Sequence, residues 1–211
     1  MIKSLIIAAL SLGSVSAGEF VDLFNGKDFT NWGGAGKTMQ NGYEVKDGTI
    51  TSTKKCRFLQ TEKEYSSYVF QFEFKLTPGA NNGLGIHYPG KGDAAYTGME
   101  IQILDNSAKK YSKLKDYQYH GGLYTLVAPK RGFQKPVGEW NKQIVTVDGP
   151  KIKVELNGTV IMEANLDEIN KTKPKHQGAK RRQGRIAFCG HGDIVSFKNI
   201  KIKELGAAKS E

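Results

Sequence analysis

Apolar and polar residues alternate with a period of two along most of the chain, the pattern of β-strands with one buried face. The clearest run is Tyr68-Val-Phe-Gln-Phe-Glu-Phe-Lys-Leu76. It places Tyr68, Phe70, Phe72, Phe74 and Leu76 on one face and Val69, Gln71, Glu73 and Lys75 on the other, and Pro78-Gly79 ends it. Phe20-Val-Asp-Leu-Phe24 reads as a strand before the turn at Asn25-Gly26-Lys27. Tyr43-Glu-Val45 and Thr49-Ile-Thr51 flank Asp47-Gly48, a strong two-residue hairpin signal. Leu84 to Tyr88, Ile144 to Val147, Ile152 to Leu156 and Val160 to Met162 follow as strands, with Asn157-Gly158 as a second hairpin turn. Val195-Ser-Phe-Lys-Asn-Ile-Lys-Ile202 closes the domain by alternation. No helix of three turns is evident, and Leu166-Asp-Glu-Ile169 makes one turn at most. Many short strands with turns between them predict an all-β fold, a two-sheet antiparallel jelly-roll sandwich.

The stretch Tyr96-Thr-Gly-Met-Glu-Ile-Gln-Ile-Leu-Asp-Asn106 departs from this simple plan. Ile101 and Ile103 would enter the core, leaving Glu100 and Gln102 side by side, roughly 6–7 Å apart at their backbones. Strict pleating would then set Leu104 beside Gln102 and send Asp105 inward. A one-residue bulge near Leu104 would absorb the leucine and return Asp105 to the Glu100 face. Two carboxylates and an amide on one sheet face suit either a solvated surface or the site of a polar, sugar-sized ligand.

The first residues lie outside this domain. Lys3 supplies a positive start, Leu5 to Leu12 an apolar segment, and Val15-Ser16-Ala17 a small-residue cleavage site. Residues 1–17 thus read as a signal peptide, and 18–211 as a single jelly-roll domain. The apolar run is too short to span a bilayer, so the expected location is secreted or periplasmic, without membrane insertion. The formal charge is +10, concentrated in Lys171, Lys173, Lys175, Lys180, Arg181, Arg182 and Arg185. Such a run is a solvated loop or the footprint of an anionic partner. Nucleic acid fits poorly with export, and no aromatic-and-basic recognition motif accompanies the charges. Of the two cysteines, Cys56 and Cys189, neither sits in a recognisable disulfide framework, so both are expected to be unpaired thiols.

Asn106 to Val137 lacks periodicity and is too long for a passive connection in a compact domain. It contains Tyr117, Tyr119, His120, Tyr124, Lys130 and Arg131, and it runs on to Glu139-Trp140-Asn141. Rings beside amide and cationic groups are the usual lining of a carbohydrate site, although any one of these tyrosines could equally pack the loop onto the sheet. His87, His120 and His191 lie in segments able to reach the Glu100 face. No His-x-x-His or Cys-x-x-Cys spacing occurs, so a metal could be held only by ligands from separate strands. A serine or cysteine triad has no motif to support it.

Glu100-Ile-Gln-Ile-Leu-Asp105 resembles a drifted form of the bulged Glu-x-Asp-x-x-Glu strand of laminarinase-type β-glucanases, which have a concanavalin A-like jelly roll. Here glutamine replaces the middle aspartate and Asp105 the terminal acid, so a retaining pair with carboxyls about 5–5.5 Å apart is not reproduced. A closer resemblance covers about Glu19 to Leu205. It rests on Leu23-Phe-Asn-Gly-Lys27, Trp32, Leu59-Gln-Thr61 with Glu64-Tyr65, Asn82-Gly83, Gly98-Met-Glu-Ile-Gln-Ile-Leu-Asp-Asn106, Tyr119-His-Gly121 and Pro129-Lys-Arg131. Lys135-Pro136, Gly138-Glu-Trp-Asn141, Leu156-Asn-Gly158, Gly190-His-Gly192 and Phe197-Lys-Asn-Ile200 complete it. In order and spacing these are similar to the 3-keto-disaccharide hydrolase family of secreted bacterial proteins, also described as 3-keto-glucoside lyases and hydratases. Two positions depart: His87 stands where many members carry arginine, and Cys189 replaces a glutamine or an aliphatic residue.

The resemblance implies cleavage of a 3-keto-glucoside or oligosaccharide by proton abstraction at C2. For that reaction Glu100 is the candidate general base, and His120, His191 or a divalent metal would stabilise the 3-oxygen. Gln102, Asp105, His87, Tyr119, Lys130 and Arg131 would hold the substrate. A non-catalytic carbohydrate-binding module on the same sandwich is the alternative.

Overall fold

The computed structural model of the protein describes residues 18–206. In chain order the strands are β1 (Val21–Asp22), β2 (Met39–Gln40), β3 (Tyr43–Lys46), β4 (Thr49–Ser52), β5 (Phe58–Gln60), β6 (Tyr68–Leu76) and β7 (Asn81–Tyr88). They continue with β8 (Met99–Leu104), β9 (Trp140–Asp148), β10 (Lys151–Leu156), β11 (Thr159–Asn165), β12 (Arg185–Gly190) and β13 (Val195–Glu204). Two short helices, α1 (Ala94–Thr97) and α2 (Leu166–Thr172), interrupt the series. The expected signal peptide lies outside the described residues.

The strands form two antiparallel sheets. The larger runs β11-β10-β9-β6-β13-β4-β3-β2, with β1 paired to β13, and the smaller runs β5-β12-β7-β8. The long alternating segment becomes β6, central in the larger sheet, and its burial alternates as its sequence does. Both hairpin signals hold: Lys46 pairs with Thr49 and Leu156 with Thr159, and Asp47, Gly48, Asn157 and Gly158 all adopt positive φ. Between the sheets Phe188 of β12 stacks on Phe197 of β13, ring centroids 3.9 Å apart, and on Trp32 at 5.4 Å. The indole Nε1–H donates to the Leu23 carbonyl at 3.0 Å, so the largest side chain in the core leaves no donor unpaired.

Two of the three register shifts among the strands correct the alternation near the core. In β13 the pairing with β6 slips between Lys198 and Lys201, with Asn199 at φ 50, so Phe197 and Ile200 both reach the core. In β7 the pairing with β12 slips opposite Ile186, with His87 at φ 49. Tyr88 therefore turns to the outer face of the smaller sheet, where it packs with Ala94, Ala187, Cys189 and Phe58.

The expected bulge near Leu104 does not form. Residues Met99 to Leu104 of β8 pair with Ile86 to Asn81 of β7 in unbroken register. Leu104 stays beside Gln102 on the outer face, where it lines a cleft with Tyr111 and Leu114, and it is only 1% exposed. Asp105 turns away and closes the turn, accepting from the Gly79 and Ser107 amides at 2.7 and 2.9 Å and from the Ser107 hydroxyl at 2.6 Å. With the leucine covered and the carboxylate satisfied, neither misplacement that called for a bulge exists.

The long segment after β8 explains the cover. It contributes 3₁₀ turns at Lys109–Tyr111 and Asp116–Gln118 and then runs along the outer edge of β8. Gly121 N–H donates to Gln102 O at 2.8 Å, Gln102 N–H to Gly122 O at 3.0 Å, and Tyr124 N–H to Glu100 O at 2.8 Å. An edge strand is sealed in this way, and its polar residues are sunk below a rim of loops.

Candidate active site

Glu100 and Gln102 project from β8 into a cleft of about 330 Å³ on the outer face of the smaller sheet. The neighbouring strand β7 carries Gly83 and Gly85 opposite them, paired respectively with Gln102 and Glu100. The absent side chains leave room for the glutamate to lie over the strand: a Cβ built on Gly83 would overlap Glu100 Oε1. Glu100 is thereby 6% exposed and Gln102 7%.

His191, just beyond the end of β12, donates from Nε2 to Glu100 Oε1 at 3.2 Å. Its side chain is 43% exposed, so this is a pair half in water and half in the protein. The hydrogen bond to Glu100 raises the imidazole pKa above its ordinary value, against an opposing effect of burial and with help from the Glu100 charge. Asn81, Asp93, Tyr96, Tyr111, Gln118 and Tyr124 complete the wall. Asn81 Oδ1 and Gln102 Oε1 are buried acceptors without a protein partner. Unpaired buried acceptors are costly unless a ligand or water meets them, and sugar hydroxyls are donors of the required kind.

Of the nine predicted site residues, the structure brings Glu100, Gln102 and His191 together. The others lie elsewhere. His120 is in the core, 1% exposed, with Nδ1 accepting from Leu104 N–H at 3.4 Å and its ring 4.9 Å from that of Phe74. Burial brings its pKa down to about 3, against a smaller opposing pull from Gln143. A neutral imidazole beneath the sheet cannot touch a ligand above it. His87 is also enclosed, donating from Nε2 to Ser66 O at 3.3 Å, and its pKa falls to about 4, chiefly through burial. The β7 bulge at this residue removes it from the Glu100 face.

Asp105, Tyr119 and Arg131 line a separate cleft of about 640 Å³ with Gln134, Lys135 and Pro136. Arg131 lies over the Tyr119 ring, 4.3 Å from its centroid. Lys130 is exposed, lines neither cleft, and is held by its backbone to Ile161 O at 2.7 Å. The sequence-based site thus merged two places. The unbroken register of β8, which no alternation rule could fix at Leu104, separates them.

Sequence reasoning missed Asn81 and Asp93, and it named Tyr124 only as one aromatic of a loop. The signal available was the pair of glycines at positions 83 and 85, because glycine inside a strand marks a close approach. No group of three His, Cys, Asp or Glu side chains suited to a metal occurs among the described residues. Glu100 on β8 and His191 just beyond β12 share the cleft with Asp93, but the three do not form a group arranged to hold a divalent ion. Cys56 and Cys189 are free and buried, as expected from the absence of a disulfide framework. In the basic run Arg182 pairs with Asp167 at 2.5 Å, Arg181 donates to His87 O at 3.0 Å, and Arg185 to Thr61 O at 2.6 Å. Its arginines serve the fold.

A jelly-roll sandwich with a polar cleft on its smaller sheet has the architecture shared by lectins and carbohydrate-active enzymes. The chain belongs to the family described as the 3-keto-alpha-glucoside-1,2-lyase-like domain, whose model matches residues 19–203. It is similar to a 3-keto-disaccharide hydrolase of Bacteroides thetaiotaomicron, with 25% identity over 90% of this chain and 80% of that one. Among solved structures it resembles a candidate glycosyl hydrolase from Parabacteroides distasonis, with a TM-score of 0.77 and 27% identity over 90% of this chain and 94% of the other. The lumenal domain of VIP36, solved with Ca²⁺ and Man3GlcNAc, shares the fold at a TM-score of 0.50 and 10% identity over 82% of this chain and 86% of the other.

Proposed function

We propose that the protein is an exported enzyme that cleaves 3-keto-glucosides, with Glu100 as the general base. The observation that carries this reading is a single buried carboxylate, hydrogen-bonded to a half-exposed histidine, in a cleft with unpaired acceptors. A ketone at C3 acidifies the C2 hydrogen, since the resulting carbanion is an enolate. Glu100 takes that proton, and the C2–H electron pair becomes the C2=C3 bond of the enolate. When the C3 carbonyl re-forms, the pair moves to C1=C2 and the C1–O bond breaks. The departing oxygen gains a proton from solvent or from the His191 imidazolium, and water can then add across C1=C2.

The chemistry needs one base and one positive group, and no nucleophile–acid pair. His191 orients the Glu100 carboxylate and, when charged, offers the positive end for the 3-oxygen. Gln102 and Asn81 accept from hydroxyls of the ring. The family assignment and the similarity to a 3-keto-disaccharide hydrolase support the substrate class. Export is supported by the charged, apolar and small-residue segments of residues 3–17, and the mass of the secreted form tests it: a start at or near Gly18 is expected.

The test of the enzymatic reading is incubation with a panel of 3-keto-disaccharides, read by mass spectrometry, for the unmutated protein and for Glu100→Gln. Glutamine keeps the size of the side chain and loses its basicity, so turnover should fall by about 10²–10⁴-fold. Binding should change by less than about tenfold. Sugar binding without conversion by the unmutated protein would instead make this a carbohydrate-binding module.

A further inference from the structure

Glu100 and His191 line two clefts, one over β8 and the other over β12 and the start of β5. The first is the cleft of about 330 Å³ walled by Asn81, Gln102 and the tyrosines. The second, of about 370 Å³, is bounded by Arg57, Phe58, Gly92, Cys189 and Gly190. Asp93, Glu100 and His191 belong to both. Each volume lies at the small end of the range for ligand pockets. A reacting pair shared by two small clefts matches a substrate of two parts joined at the bond that breaks.

We propose that the Arg57–Phe58 cleft is the leaving-group subsite and that it takes a second pyranose ring. This rests on the reading of Glu100 given above. The two clefts differ in chemistry, and the difference assigns the halves of the substrate. The first presents acceptors without protein partners, Asn81 Oδ1 and Gln102 Oε1, which suits the hydroxyl-bearing ring whose C2 proton meets Glu100. The second presents an aromatic ring and an exposed guanidinium. Phe58 is half-buried and stacks on Tyr88, with ring centroids 5.1 Å apart and planes at 30°. That contact fixes its plane and leaves the ring at the cleft wall as a platform for the apolar face of a sugar. Arg57, one residue earlier, has the donors to meet that sugar's hydroxyls. The buried Cys189 also lines this cleft. A one-carbon aglycone would leave both Phe58 and Arg57 unused.

The experiment compares kcat/KM on a 3-keto-disaccharide, on the methyl 3-keto-glucoside and on the p-nitrophenyl 3-keto-glucoside. It uses the full chain, Phe58→Ala and Arg57→Ala. Phe58→Ala should lower the ratio of disaccharide to methyl glycoside by about fivefold to tenfold. Arg57→Ala should lower the same ratio while reducing the aryl glycoside less, since an aryl ring has no hydroxyls to meet. The second variant sits in an exposed segment and does not depend on the packing of Phe58 against Tyr88. Equal proportional losses on all substrates in both variants would overturn the subsite while leaving the Glu100 reading intact. So would the absence of any preference for the disaccharide over the methyl glycoside in the unmutated protein. A greater dependence of the aryl than of the disaccharide substrate on Phe58 would replace the pyranose by an aromatic leaving group. Failure of the unmutated protein to convert any of the three would overturn the Glu100 reading, and this inference with it.

Discussion

The carboxylate of Glu100 occupies the space that a side chain at position 83 would need. A Cβ on Gly83 would overlap Oε1, Cδ and Cγ of the glutamate. Glycine on the central strand of the site is therefore part of how Glu100 is aimed, because it lets the acid lie across β7 toward His191. Gly83→Ala should displace the acid and cost both activity and stability. We expect at least about a hundredfold loss in kcat/KM, as misplacement of a reacting group by about 1 Å produces. The destabilisation should be about 1–3 kcal/mol. Gly85→Ala, whose nearest neighbour would be Cys189 Sγ at 3.2 Å, should cost much less activity. Equal activity losses in the two variants would mean that Gly83 does not position Glu100.

His191 should set the alkaline limb of the pH–rate profile. Its pKa is raised above 6.5 by the hydrogen bond to Glu100. A group with a raised native pKa contributes stability fully below its unfolded pKa and loses that contribution as pH rises through the native value. Positive charge beside the enolate is lost over the same window. Activity should fall from a point above pH 6.5, and His191→Gln should be slower throughout and lack that limb. An unchanged alkaline limb in His191→Gln would assign it to another group.

Asp105 should behave as a structural residue. Burial pushes its pKa up, but the bonds from Ser107 and Gly79 outweigh this and hold it below 3.8. A depressed carboxylate contributes stability above its unfolded pKa and loses it as pH falls through the native one. Asp105→Ala should lower stability by about 1–3 kcal/mol, the cost of leaving its donors unpaired. KM for a 3-keto-glucoside should change less than twofold to threefold. A large rise in KM with unchanged stability would return Asp105 to the substrate site.

The two enclosed histidines should make the protein acid-sensitive. His87 and His120 titrate at about 4 and about 3, below the ordinary 6.5, because burial disfavours the charged ring. The unfolded chain gains protons below pH 6.5 while the native state does not. Stability should therefore decline from pH 6.5 toward pH 4, by up to about 1.4 kcal/mol per pH unit for each histidine. His120→Leu should flatten that decline by close to one proton in equilibrium denaturation between pH 7 and 4.5. The same slope in this variant would show that His120 does not remain neutral in the native protein.

The sequence by itself determined the long alternating strands, because a period of two is a local property that each residue carries. Tyr68 to Leu76 could be read, as could the Asp47-Gly48 and Asn157-Gly158 turns, and Glu100 and Gln102 could be set side by side on one face. The order of family motifs, from Leu23-Phe24 to Phe197-Lys198, gave the family from the same line of text. Tertiary structure decided which polar residues share a site. Leu104 needed no bulge, since it stays buried beside Gln102 in the cleft that Tyr111 and Leu114 of the following loop also line, and Asp105 faces another cleft. The slip at His87 depends on how β7 meets β12, and the descent of His120 into the core depends on where the loop after β8 is pinned. Register slips and loop paths are settled by packing between segments far apart in sequence, so no local pattern encodes them. The pairing of Glu100 with His191, across 91 positions of chain, is of the same kind.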